Sequence, residues 1–243
     1  MFETTCREDA LELRRSDTEW LSTGWRGGRS RADALHSLTV PKGWEPPDLS
    51  ADVDERLAAA GFEREGPVLL TGVAASNARG AELGPVEAVA TAGVSNPAAL
   101  PVSDPWEVSE PETASTTAGR AGGNDPPDPG TVNVVVGTRR ALGEAALANF
   151  LTVAVEAKAA TLTELVGVPG TTSDAVVAAT DPTGEEVQYS GSATEVGAAA
   201  RACVREAVSA ALVARYPDRG FARSVERAEH GLVTDEHARV FEP

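Results

Sequence analysis

Residues 131–166 read TVNVVVGTRRALGEAALANFLTVAVEAKAATLTELV. The valine-rich beginning, 131–137, is typical of a buried β-strand. From Glu144 to Val166 apolar residues recur at helical spacing, and Gly167 follows as a helix-ending glycine. This segment therefore predicts a strand followed by a long helix that covers the sheet containing the strand.

Segments on both sides of it predict further elements. Before residue 100, the pattern favours strands over 67–74 and 86–93 and a helix over 51–61. After residue 166, segments 174–180 and 185–190 predict a β-hairpin, because the intervening residues Asp-Pro-Thr-Gly are typical of a turn.

A second long helix follows the predicted hairpin. Ser192 has the capping-box spacing to Glu195, and the apolar pattern, which includes Cys203, continues to about Arg215 before Pro217. We therefore expect an α+β fold, with α/β as the alternative. It consists of a mixed, largely antiparallel sheet of hairpins covered by two long helices.

Composition divides the chain into three parts. Residues 101–130 are rich in Pro, Ser, Thr, Gly and acidic residues and contain few apolar side chains. Such a segment cannot bury enough surface to offset the entropy lost on ordering. We expect a flexible, acidic insertion that the chemistry does not require, with a lid as the alternative. Residues 1–100 and 131–243 then form the two parts of one catalytic domain.

The charge is strongly negative. The chain has 37 acidic and 21 basic residues, a net charge of −16, which excludes a general nucleic-acid binder and disfavours anionic membranes. Lys42 and Lys158 are its two lysines. Abundant acidic residues with few lysines and aromatics are typical of proteins from organisms that accumulate molar salt. An ordinary acidic protein is the alternative.

The sequence also predicts a cytoplasmic location. Residues 1–15 contain several charged side chains, whereas a secretory signal has an apolar core. No uninterrupted apolar stretch is long enough to span a membrane. Cys6 and Cys203 cannot form a disulfide framework. The three histidines are not clustered, so we expect no built-in metal site.

Lys158 lies in the middle of an apolar helical stripe, with Glu156 on the opposite face. The other stripe members are Leu147, Leu151, Ala154, Leu162 and Leu165. A lysine there must pair with a buried anion or extend its ammonium to water. A paired or cleft-lining lysine can serve as a base or polarise a carbonyl group; a snorkelling side chain is the alternative.

Other polar groups follow or precede the predicted strands. Ser95 and Asn96 follow one strand, Asn133 interrupts another, and 171–174 precede the predicted hairpin. Loops at strand ends often carry binding groups, although each of these residues is also compatible with an ordinary turn. The tryptophans Trp20, Trp25 and Trp44 could form a flat apolar wall or a small N-terminal core.

The order and spacing of several short motifs resemble the adenosylcobinamide amidohydrolases (CbiZ). The motifs are LSTG at 21–24, VP at 40–41, TAGVSN at 91–96, GTVN at 130–133, EAK at 156–158, TSD at 172–174 and YSGSATE at 189–195. The chain departs from that pattern at Ser37, where the family has Asn. It departs again at Pro169-Gly170, which replaces part of a Gly/Thr-rich approach to Asp174.

The resemblance implies hydrolysis of the amide that joins aminopropanol to the corrin ring of adenosylcobinamide. The product would be adenosylcobyric acid, for salvage of coenzyme B12. It implies no built-in cofactor, since the cobalt belongs to the corrinoid substrate, and it leaves the oligomeric state open. A non-catalytic corrinoid-binding protein and an acidic interaction module are the alternatives.

Amide hydrolysis needs an activated nucleophile, a stabilised oxyanion and a protonated leaving amine. For this chemistry, we expect Asp174 to activate water and Lys158 to stabilise the oxyanion or protonate the amine. Asn96 or Asn133 could donate hydrogen bonds. Thr172 or Ser173 is an alternative nucleophile, which would form an acyl-enzyme. The expected substrate-binding residues are Asn96, Asn133, Ser95, Thr194 and Trp25.

The acidic composition yields a first prediction. At ~1 M salt the Debye length is ~3 Å, so the mutual repulsion of surface carboxylates is largely screened. We expect the melting temperature to rise between millimolar and molar KCl, measured by circular dichroism. Sucrose of equal osmolality, which screens no charge, is the control. An identical transition at both KCl concentrations would contradict salt adaptation.

Overall fold

A computed structural model describes residues 1–41, 43–63, 65–102, 130–218, 220–221, 224–225, 228 and 230–243. Lys42 and nearly all of the predicted insertion lie outside the described residues. The helices are α1 (Leu49–Ala59), α2 (Glu144–Val166) and α3 (Glu195–Arg215). The strands are β1 (Glu3–Arg7), β2 (Ala10–Ser22), β3 (Gly28–Thr39), β4 (Val68–Thr71), β5 (Arg79–Leu83), β6 (Val86–Ala92), β7 (Pro97–Ala99), β8 (Val132–Leu142), β9 (Gly170–Thr171), β10 (Ala175–Val187) and β11 (Leu232–Val233).

The main sheet has the order β4-β3-β2-β10-β8-β6-β5, with β1 beside β2. The pairs β8/β10 and β3/β4 are parallel, and the other pairs are antiparallel. The predicted α+β fold with a mixed, largely antiparallel sheet is therefore confirmed. The two strands from after residue 130, β10 and β8, lie next to each other between strands from before residue 100.

Helices α2 and α3 cover one face of the sheet. Along β8, alternate side chains Val132, Val134 and Val136 point into the core under these helices, which Phe150 and Leu162 of α2 help to fill. The helix predicted over Glu144–Val166 is confirmed at both ends, and Gly167 after it has a φ of 89°. Cys203 of α3 is buried, as predicted.

The opposite face holds a second core, into which Val135 of β8 projects together with Trp20 and Leu13. The Asn133 side chain donates a hydrogen bond to the Leu70 carbonyl of β4 at 3.0 Å. Three strands separate β4 from β8 in the sheet order, so this contact requires the sheet to curl around the second core.

The predicted hairpin at 174–190 is wrong. Strand β10 runs through the expected turn, and both 175–180 and 185–187 pair in parallel with β8. Residues 181–184 form an irregularity between the two paired stretches, where the Asp181 carboxylate accepts from the Thr183 N–H at 2.9 Å. This local hydrogen bond is the one a turn would use, but here the chain bulges and does not reverse.

Two details of the helices also differ from expectation. Helix α3 is capped by Thr194, whose hydroxyl accepts from the Gly197 N–H at 3.0 Å, and not by Ser192. On α2 the buried stripe continues through Leu162 to Val166, so that Leu165 is 42% exposed.

Helix α2 is long and apolar enough to cross a membrane by length and composition alone. Half of that apolar window is buried inside the protein, however, and the core helix of a soluble protein meets the same criterion. The hydropathy of α2 is accounted for by its packing against the sheet and α3.

A buried ionisable cluster lies between β2 and β3. His36 is fully buried, and its Nε2 lies 3.1 Å from the Glu12 carboxylate, which also binds Arg14. Arg14 reaches on to Glu65, and the His36 ring lies 5.7 Å from the Phe62 ring, between centroids. Burial lowers the pKa of His36, because the charged ring would lose its hydration, although Glu12 opposes this effect.

The lowered pKa of His36 predicts a pH-dependent stability. Neutral His36 stabilises the fold fully above the ordinary histidine pKa of about 6.5, and this contribution is lost as the pH falls through the lower folded pKa. We expect the free energy of unfolding to fall below about pH 6.5, by at most about 1.4 kcal/mol per pH unit.

Urea titrations of the wild type and His36→Asn between pH 7.5 and 5 test this dependence. The variant is expected to show a flatter profile, whereas His237→Gln, at an exposed position, is expected to match the wild type. A wild-type profile that is flat across this range contradicts the prediction.

Candidate active site

Four segments of the sequence meet where the central strands of the main sheet begin or end, and we call this end of the strands the sheet edge. Strand β10 begins after Asp174 and β8 begins after Thr131, while the antiparallel strands β2 and β6 end beside them. The Thr23 N–H and hydroxyl group both donate to the Val176 carbonyl, at 3.1 and 3.2 Å, and fix the end of β2 against β10. The motif segments 21–24, 91–96, 130–133 and 172–174 therefore lie along one edge.

Asp174 and Lys158 form a buried ion pair at this edge. Asp174 precedes Val176 and Ala178 at the alternating positions of β10 that face the helices, so its carboxylate points towards α2. There it accepts a hydrogen bond from Lys158 Nζ, and the two side chains are 10% and 8% exposed. The lysine is thus paired, as one of the two interpretations predicted, and does not extend to water.

The Asp174 carboxylate has three further donors. Its Oδ1 accepts from the Val132 N–H at 2.8 Å and from the Thr171 hydroxyl at 2.5 Å, and its Oδ2 accepts from the Thr171 N–H at 3.0 Å. With Lys158 this fills about four acceptor positions, the full capacity of a carboxylate. Two donors are backbone groups, so the carboxylate is held in one orientation.

Gly170 packs closely against the ion pair. A Cβ atom at this position would lie 2.7 Å from Asp174 Oδ2 and 3.5 Å from Lys158 Nζ, too close to the carboxylate for any side chain. Gly170 and Thr171 form β9, which pairs with β7 and thereby joins a small second sheet, β11-β7-β9. This second sheet positions the Thr171 hydroxyl against Asp174.

The two hydroxyl groups predicted as alternative nucleophiles face other partners. Thr172 Oγ1 accepts from the Asn96 side chain at 2.6 Å, and Ser173 Oγ lies 3.0 Å from Thr131 Oγ1. The hydroxyl in contact with Asp174 is that of Thr171, which the sequence reasoning missed. Its spacing, three residues before an aspartate, is the available signal, because such pairs form local side-chain hydrogen bonds.

Ser95 and Asn96 lie beside these residues, against the backbone of Gly130. A Cβ atom at Gly130 would be 2.4 Å from Asn96 Oδ1 and 2.7 Å from Ser95 Oγ. Asn96 Oδ1 is buried and accepts no hydrogen bond within the described part of the chain. This oxygen is therefore an acceptor at the site edge that a substrate donor could satisfy.

Asn133 adjoins the ion pair but belongs to the other face of the sheet. Its Oδ1 accepts from the Ala175 N–H at 3.0 Å while its amide nitrogen donates to Leu70, and the residue is 3% exposed. Both ends of the amide are therefore satisfied within the protein, and its position is that of a link between β4, β8 and β10.

The remaining predicted residues are dispersed. Thr194 caps α3 beyond the far end of β10, roughly 40 Å along a 13-residue strand from Asp174. Trp25 lines a cleft of about 240 Å³ with Arg26 and Gly27. Trp20 is fully buried, and Trp44 donates a hydrogen bond to Asp52 on α1, so the three tryptophans do not form one wall.

Within the described ranges, no group of three or more His, Cys, Asp or Glu side chains could hold a metal ion.

Comparison with known proteins identifies the family. The sequence model of the adenosylcobinamide amidohydrolases, CbiZ, matches residues 3–219. The chain belongs to this family. It is 56% identical, over the full length of both proteins, to the adenosylcobinamide amidohydrolase of Halobacterium salinarum. It is 28% identical to that of Methanosarcina mazei, over 86% of this chain and 96% of the relative.

The halobacterial relative agrees with the salt-adapted composition predicted from the sequence. In this member of the CbiZ family, the motif segments at the sheet edge surround the Lys158–Asp174 pair. The YSGSATE segment does not, because it leads from the far end of β10 into α3.

The buried pair predicts a large effect of neutralising Lys158. Lys158→Met leaves the Asp174 carboxylate buried beside an apolar chain, and we expect it to lower the free energy of unfolding by about 3–5 kcal/mol. In the double variant with Asp174→Asn, the neutral amide still accepts from Val132. This double variant is therefore expected to be more stable than Lys158→Met alone.

Urea unfolding in molar KCl measures these differences. Glu156→Gln, on the exposed face of the same helix, is the matched control and should stay within about 0.5 kcal/mol of the wild type. Unchanged stability of Lys158→Met would show that the pair does not hold the sheet edge.

Proposed function

We propose that this chain hydrolyses the amide bond between aminopropanol and the corrin ring of adenosylcobinamide, releasing aminopropanol and adenosylcobyric acid. The observation that carries the proposal is the 56% identity, over the full length of both chains, to a protein named for this reaction. The site supports it by bringing together an ammonium group, a carboxylate and hydroxyl groups at one sheet edge.

The Lys158–Asp174 pair can supply both proton transfers of the reaction. Asp174 removes the proton from the attacking oxygen, and Lys158 gives a proton to the nitrogen of the departing amine. Their direct hydrogen bond then returns the proton from Asp174 to Lys158, so that both residues regain their starting charges. The positive charge of Lys158 also stabilises the oxyanion that develops on the amide carbonyl.

Asn96 can orient the substrate beside this pair. Its buried Oδ1 is suited to accept a hydrogen bond from the substrate amide N–H or from the aminopropanol hydroxyl. Ser95 is its neighbour at the same edge. We assign both residues to binding of the aminopropanol arm. Trp25 follows the 21–24 segment and lines a cleft with Ser22, whereas Thr194 lies beyond the far end of β10.

The cobalt enters as part of the corrinoid substrate, and the chain's own side chains supply the proton transfers. The net charge of −16 opposes nucleic-acid and anionic membrane partners. We place the reaction in the cytoplasm.

The test is an assay of purified protein in molar KCl with adenosylcobinamide, in which both products are measured by mass spectrometry. We expect stoichiometric aminopropanol and adenosylcobyric acid, and a loss of at least ~10²-fold in turnover for Lys158→Met and Asp174→Asn. Glu156→Gln is the control. A wild type that binds adenosylcobinamide without releasing aminopropanol would be a corrinoid-binding protein, and this result would overturn the proposal.

A further inference from the structure

Thr171, Thr172 and Ser173 precede Asp174, and each of their hydroxyl groups contacts a different partner. We propose that Thr171 Oγ1 attacks the substrate amide and carries the corrinoid acyl group as an ester. The protein then has a second activity, acyl transfer to small primary amines. This inference rests on the proposed hydrolase function and specifies its nucleophile.

The Thr171 hydroxyl is the one already in contact with a base. It lies 2.5 Å from Asp174 Oδ1, and the backbone N–H of the same residue holds Oδ2 of that carboxylate. Lys158 binds Oδ2 as well. A nucleophile within hydrogen-bond distance of a base, with the base oriented by a third group, is the arrangement that activates serine and threonine hydroxyls.

Direct attack by water fits the geometry less well. The carboxylate has its full set of about four donors, so a water molecule reaches it only by displacing Lys158, Thr171 or a backbone N–H. The Thr171 hydroxyl already occupies the place that such a water would take. The Thr172 hydroxyl is hydrogen-bonded to Asn96 and the Ser173 hydroxyl to Thr131, and neither contacts the carboxylate.

The backbone around Thr171 is fixed, as a nucleophile requires. Thr171 pairs with Pro97 in the small sheet, and the next residue donates its N–H to the Asn96 carbonyl at 3.2 Å. The second possible acceptor for its hydroxyl is the Gly130 carbonyl, at 3.1 Å. A hydroxyl has one proton, so it can turn from Gly130 to Asp174 without movement of the backbone.

The acylation step is balanced within these groups. The Thr171 Oγ1–carbon bond forms while its proton passes to Asp174; the carbon–nitrogen bond then breaks while Lys158 protonates the nitrogen. Aminopropanol leaves, and the proton on Asp174 returns to Lys158. In the second step water or a primary amine attacks the ester, and its proton passes through Asp174 to Thr171 Oγ1. The product is the acid or the substituted amide.

Hydroxylamine distinguishes this route from direct hydrolysis. With wild-type protein and adenosylcobinamide in molar KCl, we expect the corrinoid hydroxamate to replace the acid in proportion to added hydroxylamine. We expect kcat/KM for aminopropanol release to stay constant, because release precedes the step that hydroxylamine enters. A kcat/KM that rises with hydroxylamine, or the absence of hydroxamate, overturns the proposal.

Variants of the hydroxyl residues provide an independent test. Thr171→Ala is expected to lose at least ~10²-fold in kcat, whereas Thr171→Ser, which keeps the hydroxyl, should restore most of the activity and the hydroxamate product. Thr172→Ala and Ser173→Ala should lose less than about tenfold, as expected for orienting groups. Thr163→Ala, at an exposed position on α2, is the surface control.

Hydrolysis by Thr171→Ala at the wild-type rate would overturn the role of Thr171 and leave the hydrolase function intact. Absence of aminopropanol release by the wild type would instead overturn the hydrolase function itself. The two failures are therefore distinguishable in one set of assays.

Discussion

The ion pair between Lys158 and Asp174 constrains the rest of the structure. A lysine in the interior is tolerated only with a carboxylate beside it, and the carboxylate in turn needs further donors. Helix α2, the residue before β10 and the start of β8 each supply one of these groups, and the short strand β9 supplies two. The pair therefore fixes how the helix layer sits on the sheet.

Much of the fold follows from local patterns. The valine-rich run in β8 and the helical periodicity of α2 are strong signals, because β8 is buried along most of its length and α2 along one face. The error at β10 has a physical cause. Asp181 and Gly184 carry the same local signals in a bulge as in a hairpin turn, and only pairing with β8, about 40 residues away, decides between them.

The site was partly predictable for a similar reason. Lys158 is conspicuous because a charge on an apolar stripe violates the helical pattern, and Asp174 is conspicuous through its position before a strand. Thr171 is not, since one hydroxyl among three consecutive ones has no distinguishing periodicity. Its contact with Asp174 depends on the pairing of β9 with β7, a long-range contact that no local pattern encodes. Thr194, in contrast, has the ordinary sequence signature of a helix cap.

The hydrogen bonds between Thr23 and Val176 join residues 153 positions apart in sequence. Strand β2 lies in the middle of the sheet, yet the neighbour on one of its sides, β10, is synthesised only after two thirds of the chain. Loop-closure entropy makes such non-local pairing slow relative to local hairpins and helices. Strand β1 pairs with residues 10–14 of β2, but residues 19–22 of β2 must remain unpaired on that side until the start of β10 emerges. The candidate site, at this end of β2, therefore forms late in synthesis. When the full chain refolds, the local contacts of the helices form before this non-local pairing, so helix content is regained before the candidate site is complete.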